Sequence, residues 1–576
     1  MLNRHRDHHR QITRSKGATL LMPLKADTNG ANPALCMTGG SNSEELTYTE
    51  LFERSKALSD YFIEQGIRQG ERIAILSESR PRWGLAFFAS VNAGAAVVPL
   101  DMALTEAELT AILLNVEPAI LIVSASLEKT GEALLRSVPS LRQAYLLDGP
   151  DKGINFLSID KLKASDAKDP RERASDETAV ITYTSGTTGK PKGIMITFGN
   201  LIFQIQSTKK TMNLTSADVC LSILPLNHLL ELAGGFLSIL HAGGQICYCN
   251  TLYPQEIAQT MRQKKVTCMV TVPLFLKMLK EAIEREVRKA GFLRKWFFDL
   301  SLKFAARIPF RTFKKALFYP VHKQFGGKLK YFVCGGAPLE MEVARFFDRL
   351  GIPIYQGYGL TETSPVISVN SSKHNRMGSV GRPLPGVSVK VQKNGSGEEE
   401  GEILTKGPHV MKGYYRREDL NREVIDGDGW LHTGDIGRID NEGYLYITGR
   451  TKNLIVLGGG KKVQPEEVEL VLSHGSMIKE SCVIGMQSKQ GLLQATEEVC
   501  AVIVPSEELT EKYAERQGAI EEKLKKEIQN RTQTLAPYKR PSKVVIRFED
   551  LPKTSTRKIK RYVVEQWIDT QECLIC

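Results

Sequence analysis

Residues Tyr183 to Gly193 read YTSGTTGKPKG, eleven positions holding three glycines, four Ser/Thr hydroxyls and two lysines. The apolar AVIT, 179–182, stands before them, and helix-like text begins at Asn200. A strand, a glycine-rich turn and a helix in that order leave backbone amides exposed where the chain turns. Glycine permits the sharp turn and a close backbone approach. Amides, hydroxyls and lysines together form a cradle for a polyphosphate. The stretch is not a Walker P-loop, because GxxxxGK would need glycine at position 184, where Thr184 stands.

On the N-terminal side of this stretch, helical and strand periods alternate. TYTELFERSKALSDYFIEQGI has apolar residues at helical spacing, and ERIAILSES reads as a short buried strand. LAFFASVNAGAAVVPLD and LTAILLNVEPAILIVS repeat the helix-then-strand order. This alternation predicts an α/β class with a largely parallel sheet. From about residue 379 the text changes to short strands joined by turns, through GSVGRPLPGVSVKVQKNG and WLHTGDIGRIDNEGYLYITGR. Past residue 451, PEEVELVLS, CVIGM, CAVIVP, EEKLKKEIQN and KVVIRF predict a small α+β unit. The expected division is an extension over 1–40, read as disordered, a large domain over 41–450 and a small one over 451–576. The boundary is placed at Arg450 to Lys452.

A chain of 576 residues exceeds what one core usually supports. Its longest apolar run, Leu85 to Leu100, is broken by Ser90, Asn92 and Gly94, so a membrane-spanning helix is not expected. The ten cysteines are scattered, with no zinc-ligand spacing, and read as a reduced, cytoplasmic set. The net charge of +12 is uneven. Residues 277–323 hold 13 Lys/Arg against 4 Asp/Glu, and residues 1–21 hold 5 against Asp7 alone. The rest of the chain is close to neutral. The polar, His/Arg-rich start has no signal-peptide core; it reads as an extension, or as text upstream of a working start at Met22. The terminal Cys573-Leu-Ile-Cys576 reads as a frayed tail, with lipidation as the alternative.

Four more motifs follow YTSGTTGKPKG in a fixed order. They are Gly335-Gly336-Ala337-Pro338 after an apolar KYFVC, YGLTETS from Tyr358, WLHTGD followed by GRTK up to Lys452, and PKTSTRKIKR from Pro552. Each alone is weak. Together, over about 46–565, they identify a chain that resembles the adenylate-forming superfamily, which includes acyl- and aryl-CoA synthetases, peptide synthetase adenylation domains and firefly luciferase. The resemblance implies a large N-terminal domain with parallel-rich sheets and a β-rich subdomain, and a small mobile α+β C-terminal domain.

It also implies roles, residue by residue. Thr184, Ser185, Gly186, Thr187, Thr188, Gly189, Lys190 and Lys192 would close on the ATP phosphates. Thr184 and Glu362 would hold Mg²⁺, as a hydroxyl and a carboxylate suit a hard cation. Tyr358 would stack on adenine beside the Gly335–Pro338 strip, with Gly359 also among the nucleotide-binding residues, and Thr361 would donate to the α-phosphate. Asp435 would accept both ribose hydroxyls, a task suited to a carboxylate, with Arg450 close by. Lys558 would neutralise the charge developing at phosphorus. The family often has glycine before this lysine, where Arg557 stands, and Lys560 is the fallback. Lys452 would be the hinge. Gly458, Gly459, Gly460 and Lys461 would border the thiol tunnel, with a solvated basic turn as the alternative. His228 would lie where the acyl pocket meets that tunnel; Leu232 stands where some relatives carry a gating tryptophan.

These expectations add up to ATP-dependent activation of a carboxylic acid as acyl-AMP, then transfer to coenzyme A. The long segment between Pro273 and Gly335 resembles the extended insert of long-chain fatty acyl-CoA synthetases. Its aromatic and basic residues, 277–323, suit peripheral contact with an anionic membrane, or a buried aromatic stripe with a solvated basic face. Nucleic acid is not an expected partner. Transfer to acyl carrier protein, or another acyl-AMP ligase reaction, is the alternative within enzymes. An inactive membrane- or partner-binding homologue is the alternative outside them.

Overall fold

In the computed structural model the expected alternation is realised. The residues described are 30–38, 43–149, 156–159, 162, 171–184, 191–249, 251, 253–393, 399–457, 461–473, 475, 477–487, 497–513, 516–554 and 558–570. The first long helix, Tyr48–Glu64, opens on a capping box. The Thr47 hydroxyl accepts from the Glu50 N–H at 3.2 Å, and the Glu50 carboxylate accepts from the Thr47 N–H at 2.8 Å. Two otherwise unpaired amides are thus satisfied, worth about 1 kcal/mol. Helix Pro81–Asn92 and strand Ala96–Pro99 follow, then helix Glu106–Val116 and strand Ile120–Val123.

The chain divides into two compact units, one of residues 1–186, 190–388 and 405–431, the other chiefly of 389–404 and 432–576. The first unit holds two sheets. One has eight strands and a parallel centre in which Arg72–Leu76 pairs with Ala96–Pro99 on one side and Ile120–Val123 on the other. The other has nine strands, with Val219–Ser222, Cys268–Thr271, Tyr331–Cys334 and Ile354–Tyr358 parallel neighbours in that order. A shared apolar core includes Trp83, Phe87, Phe88 and Phe236, with Trp83 stacked on Phe87 at 5.5 Å. Each such ring contributes about 1.5–3 kcal/mol on burial. The second unit contains a four-stranded sheet ending in Leu431–Ile439 and Leu445–Arg450, and a three-stranded sheet of Ile478–Gln487, Glu497–Pro505 and Lys543–Ile546. Among the described residues no helix is long and apolar enough to cross a membrane.

Two boundaries differ from expectation. The stretch read as an extension contains the strand Pro33–Thr38, which pairs in parallel with Gln245–Cys249 and antiparallel with Glu44–Thr47. Ala34, Leu35 and Cys36 are buried, so PALCMT is part of the core. Its six residues lie in Asn- and Gly-rich text and carry no partner signal of their own. The boundary expected at Arg450 to Lys452 lies inside the second unit. The strand Leu445–Arg450 runs straight into the turn Thr451–Asn453, and the Gln464 side chain packs directly over Gly449.

Candidate active site

In the first unit the glycine-rich stretch is closed by a hairpin. Strand Thr178–Thr184 pairs antiparallel with Lys192–Thr197, so Thr184 and Lys192 are cross-strand partners and so are Tyr183 and Gly193. A Cβ on Gly193 would lie 2.9 Å from the Tyr183 ring, which explains glycine at this place. The Tyr183 hydroxyl donates to Asn115 at 2.6 Å. Ser185, Gly186, Thr187, Thr188, Gly189 and Lys190 lie outside the described residues, as do Gly458, Gly459 and Gly460.

Glu362 is tied to this hairpin through the segment 411–415. The Tyr415 amide donates to the Gly193 carbonyl at 2.7 Å, and the Met411 amide donates to the Glu362 carbonyl at 2.9 Å. Between them the Tyr414 hydroxyl donates to Glu362 Oε1 at 2.9 Å. Lys192 Nζ lies 5.5 Å from the centre of the Tyr414 ring. Burial and the Glu362 charge push the Tyr414 phenol far above its usual range, so it remains a donor. Sequence reasoning missed Tyr414; GYYRR, 413–417, matches no motif, and only the fold brings it to Glu362. Among the described residues Glu362 Oε2 has no hydrogen-bond partner. A carboxylate held by one oxygen, with the other open, fits a hard cation that takes its remaining ligands from phosphate and water. Among the described residues no group of three or more His, Cys, Asp or Glu could hold a metal by itself.

The strip Gly335–Pro338 and Tyr358 lie side by side. Tyr331–Cys334 and Ile354–Tyr358 are parallel with Cys334 opposite Gln356, so Gly335 to Pro338 and Tyr358 to Thr361 leave adjacent strand ends. Crevices outside the carboxyl ends of parallel strands are where α/β folds bind ligands. Gly336, Ala337 and Pro338 are exposed, and Tyr358, Gly359 and Thr361 are half-buried. Gly359 packs directly on the Pro365 carbonyl, leaving no space for a side chain. Buried Gln204 holds the turn Thr361–Thr363 by donating to the carbonyls of Thr363 at 3.0 Å and Val366 at 2.7 Å.

His228 is half-buried and begins a π-helix, Leu230–Leu237, by accepting the amides of Glu231 and Leu232. Thr182 donates to the neighbouring Asn227 carbonyl at 3.3 Å, which joins this corner to the hairpin strand. Leu230 reaches the other way: a Cβ on Gly335 would sit 3.5 Å from it. Glu231 is fully buried, and burial pushes its carboxyl up to about 8, so it is neutral at pH 7. The folded protein holds this proton while the unfolded chain, near 4.5, releases it. Stability therefore declines as pH rises between about 4.5 and 8. Glu231→Gln is expected to unfold like the parent at pH 5 and at clearly higher denaturant at pH 8, as read by urea titration at both pH values.

In the second unit the structure brings Asp435, Arg450 and Lys558 together. Asp435 and Arg450 are cross-strand partners, with Nε to Oδ1 at 2.6 Å. The WLHTGD turn is braced by Glu402, which accepts the Gly434 amide at 3.1 Å and lies 3.0 Å from His432 Nδ1. Glu402 was not legible as a support, because its stretch reads only as short strands joined by turns. Lys558 is exposed over the residue as a whole, yet protein around its ammonium lowers its pKa. The Arg450 charge lowers it further and Asp435 opposes. Lys452 is exposed in the turn Thr451–Asn453. Lys461 lies 4.7 Å from the Tyr538 ring centre, a stacked surface cation.

The AMP-binding enzyme family profile matches residues 24–415, and that of the AMP-binding enzyme C-terminal domain matches 467–558. A long-chain-fatty-acid–CoA ligase of Mycobacterium bovis is 30% identical over 467 residues, 77% of this chain and 75% of that protein. A 2-succinylbenzoate–CoA ligase of Bacillus cereus is 29% identical over 533 residues, 91% of this chain and 94% of that protein. Among solved structures, ATP-bound MatB from Rhodopseudomonas palustris superposes with a TM-score of 0.77 at 26% identity, covering 96% of this chain and 99% of that one. O-succinylbenzoate coenzyme A synthetase from Bacillus subtilis, in complex with ATP and magnesium ion, gives 0.72 at 26%, covering 96% and 100%. The chain belongs to the AMP-binding enzyme family, in its acid–thiol ligase branch that forms acyl-CoA through an adenylate.

Proposed function

We propose that the protein activates a long-chain fatty acid with ATP and passes the acyl group to coenzyme A. The observation that carries the choice of acid is the π-helix leading away from His228. Leu230–Leu237, LELAGGFL, contains no cation, and its single carboxyl is held neutral by burial. We take its half-buried positions, Leu230 and Gly234, to face the acyl group, and apolar positions of this kind suit a hydrocarbon chain. They offer no counter-charge to the second carboxylate of a diacid such as 2-succinylbenzoate, and an unpaired charge is costly to bury.

In the first half-reaction the ionised acid attacks the α-phosphorus of ATP. A carboxylate–phosphorus bond forms and the bond to pyrophosphate breaks. No general base is needed, because the acid is already deprotonated at neutral pH. Asp435 receives the ribose hydroxyls, Tyr358 and the Gly335–Pro338 strip receive the base, and Lys558 meets the negative charge gathering at phosphorus. Mg²⁺, when bound at Thr184 and Glu362, would supply charge neutralisation on the phosphates. In the second half-reaction the coenzyme A sulfur attacks the acyl carbonyl, a thioester forms and AMP leaves.

The test is pyrophosphate release from purified protein with ATP, Mg²⁺ and a fatty-acid series, beside 2-succinylbenzoate, with and without coenzyme A. Turnover that needs coenzyme A and peaks at long chains supports the reading. A peak at 2-succinylbenzoate would remove the substrate assignment, and acyl-AMP formation indifferent to coenzyme A would move the acceptor to a carrier protein. Glu362→Gln keeps the Tyr414 hydrogen bond but removes the charge. It is expected to raise the Mg²⁺ concentration needed for half-maximal pyrophosphate release by about tenfold or more, since a charged contact is worth roughly 1.5–3 kcal/mol.

A further inference from the structure

We propose that the outer face of helices Phe292–Ala305 and Arg311–Leu317 is a docking surface for an anionic lipid bilayer. The first helix is apolar on two sides. Phe298, Leu302 and Ala305 turn inward onto the core formed with Phe318 and Phe346. Leu293, Trp296, Phe297, Leu300 and Phe304 face out, each about half or more exposed, at 70%, 51%, 60%, 49% and 55%. A helix apolar all round is ordinarily buried on all sides. Here one side has no protein over it among the described residues.

The uncovered area is continuous across both helices. Trp296 meets Phe297 edge-on at 5.1 Å, and Phe304 meets Phe313 at 6.5 Å, which joins the first helix to the second. Phe310 and Tyr319 extend it at 70% and 60% exposure. Aromatic rings of this kind favour the headgroup level of a bilayer.

Charge decides the kind of surface. Residues 292–319 hold seven Lys/Arg against Asp299 alone. Arg294, Lys303 and Arg307 are exposed and make no ion pair among the described residues. A hollow of about 440 Å³ opens within the face, lined by Leu300, Lys303, Phe304, Ala306, Arg307 and Arg349. Three cations around an apolar floor match a phosphate headgroup above a hydrocarbon chain. An amphipathic face with aromatics and cations interleaved is the form that lies in a membrane interface. None of the residues of the patch is among the site residues described above, so the proposal does not depend on the identity of the acid.

The experiment is flotation of the full chain with vesicles of phosphatidylcholine alone and of phosphatidylcholine with phosphatidylglycerol, in low and high salt. Binding is expected only with the anionic lipid and is expected to weaken with salt, because the charge part is screened. Lys303→Ala combined with Arg307→Ala should lower the partition coefficient about 30-fold. Trp296→Ala combined with Phe297→Ala should lower it roughly tenfold or more. All four positions are exposed, so both double variants should keep the parent's rate of acid-dependent pyrophosphate release in the absence of vesicles. Failure of the parent to float, equal flotation of parent and variants, or binding indifferent to lipid charge would overturn the proposal. So would a parent that does not float but sediments as a dimer the aromatic variant dissociates, which would assign the face to a second copy.

Discussion

Lys558→Ala is expected to slow acid-dependent pyrophosphate release about 10²–10³-fold, the usual cost of removing one preorganised donor from developing charge. The residue stands at the end of a short hairpin: the Thr554 amide donates to the Lys558 carbonyl at 2.8 Å, and the Lys558 amide donates to Thr554 Oγ1 at 3.1 Å. Backbone pairing thus fixes where the side chain starts, and Asp435 and Arg450 lie close enough to act on its charge. That surrounding separates it from Lys560, whose amide is turned to the Pro552 carbonyl. Lys560→Ala is accordingly expected to retain most activity. Because the Lys558 pKa is lowered, the ammonium loses its proton earlier than an ordinary lysine as pH rises. The adenylation rate should fall on the alkaline side, and Lys558→Arg, which stays charged, should push that fall to higher pH. An alanine variant with the parent's rate would show that another cation does this work.

Arg561→Ala is expected to destabilise the second unit by about 1.5–3 kcal/mol, the worth of charged hydrogen bonds in a half-buried pair. Arg561 holds Glu469 at 2.9 Å, reaches Glu466 at 3.7 Å and donates to the Val483 carbonyl. Glu469 in turn accepts the Val483 amide at 2.7 Å. One guanidinium therefore fastens helix Arg561–Thr570, helix Pro465–Ser473 and strand Ile478–Gln487 together. Burial drives the Glu469 carboxyl upward while Arg561 and the Val483 amide oppose, so removing the arginine leaves the acid with the amide alone to stabilise its charge. A protein of two units need not unfold in one step, so the measurement should be local. Amide hydrogen exchange along the strand Ile478–Gln487, whose Val483 amide Glu469 accepts, reports on this unit in a denaturant titration. Adding Glu469→Gln to Arg561→Ala should recover part of the loss, since the two changes share one contact. An unchanged midpoint in the single variant would show the pair to be solvated.

What was legible in the sequence follows from how local each signal is. Helix Tyr48–Glu64 carries its own cap, and strands such as Ile120–Val123 are continuous apolar runs between turns. Such elements can be read one at a time. The strand Pro33–Thr38 cannot, because its meaning lies in two partners, one about a dozen residues away and the other more than two hundred. The same holds at the site. Thr184, Tyr358, Asp435 and Lys558 stand in dense motifs, whereas Tyr414 and Glu402 support them from ordinary text. Tyr414 lies 52 residues from Glu362 and is recognisable only once the strand beside Lys192–Thr197 is placed. The unit boundary was misread for a related reason. A hinge motif marks a position along the chain, while compactness depends on which strands share a sheet.

The ion pair between Asp435 and Arg450 has a consequence for how the nucleotide is received. Asp435 is almost fully enclosed, and Arg450 already occupies Oδ1. Through that contact the arginine fixes how the carboxylate is turned. On the proposed function an arriving sugar would find its acceptor prepared and would share one oxygen with the resident guanidinium. A preference for two adjacent hydroxyls would then come from their having to fit beside a guanidinium that stays in place.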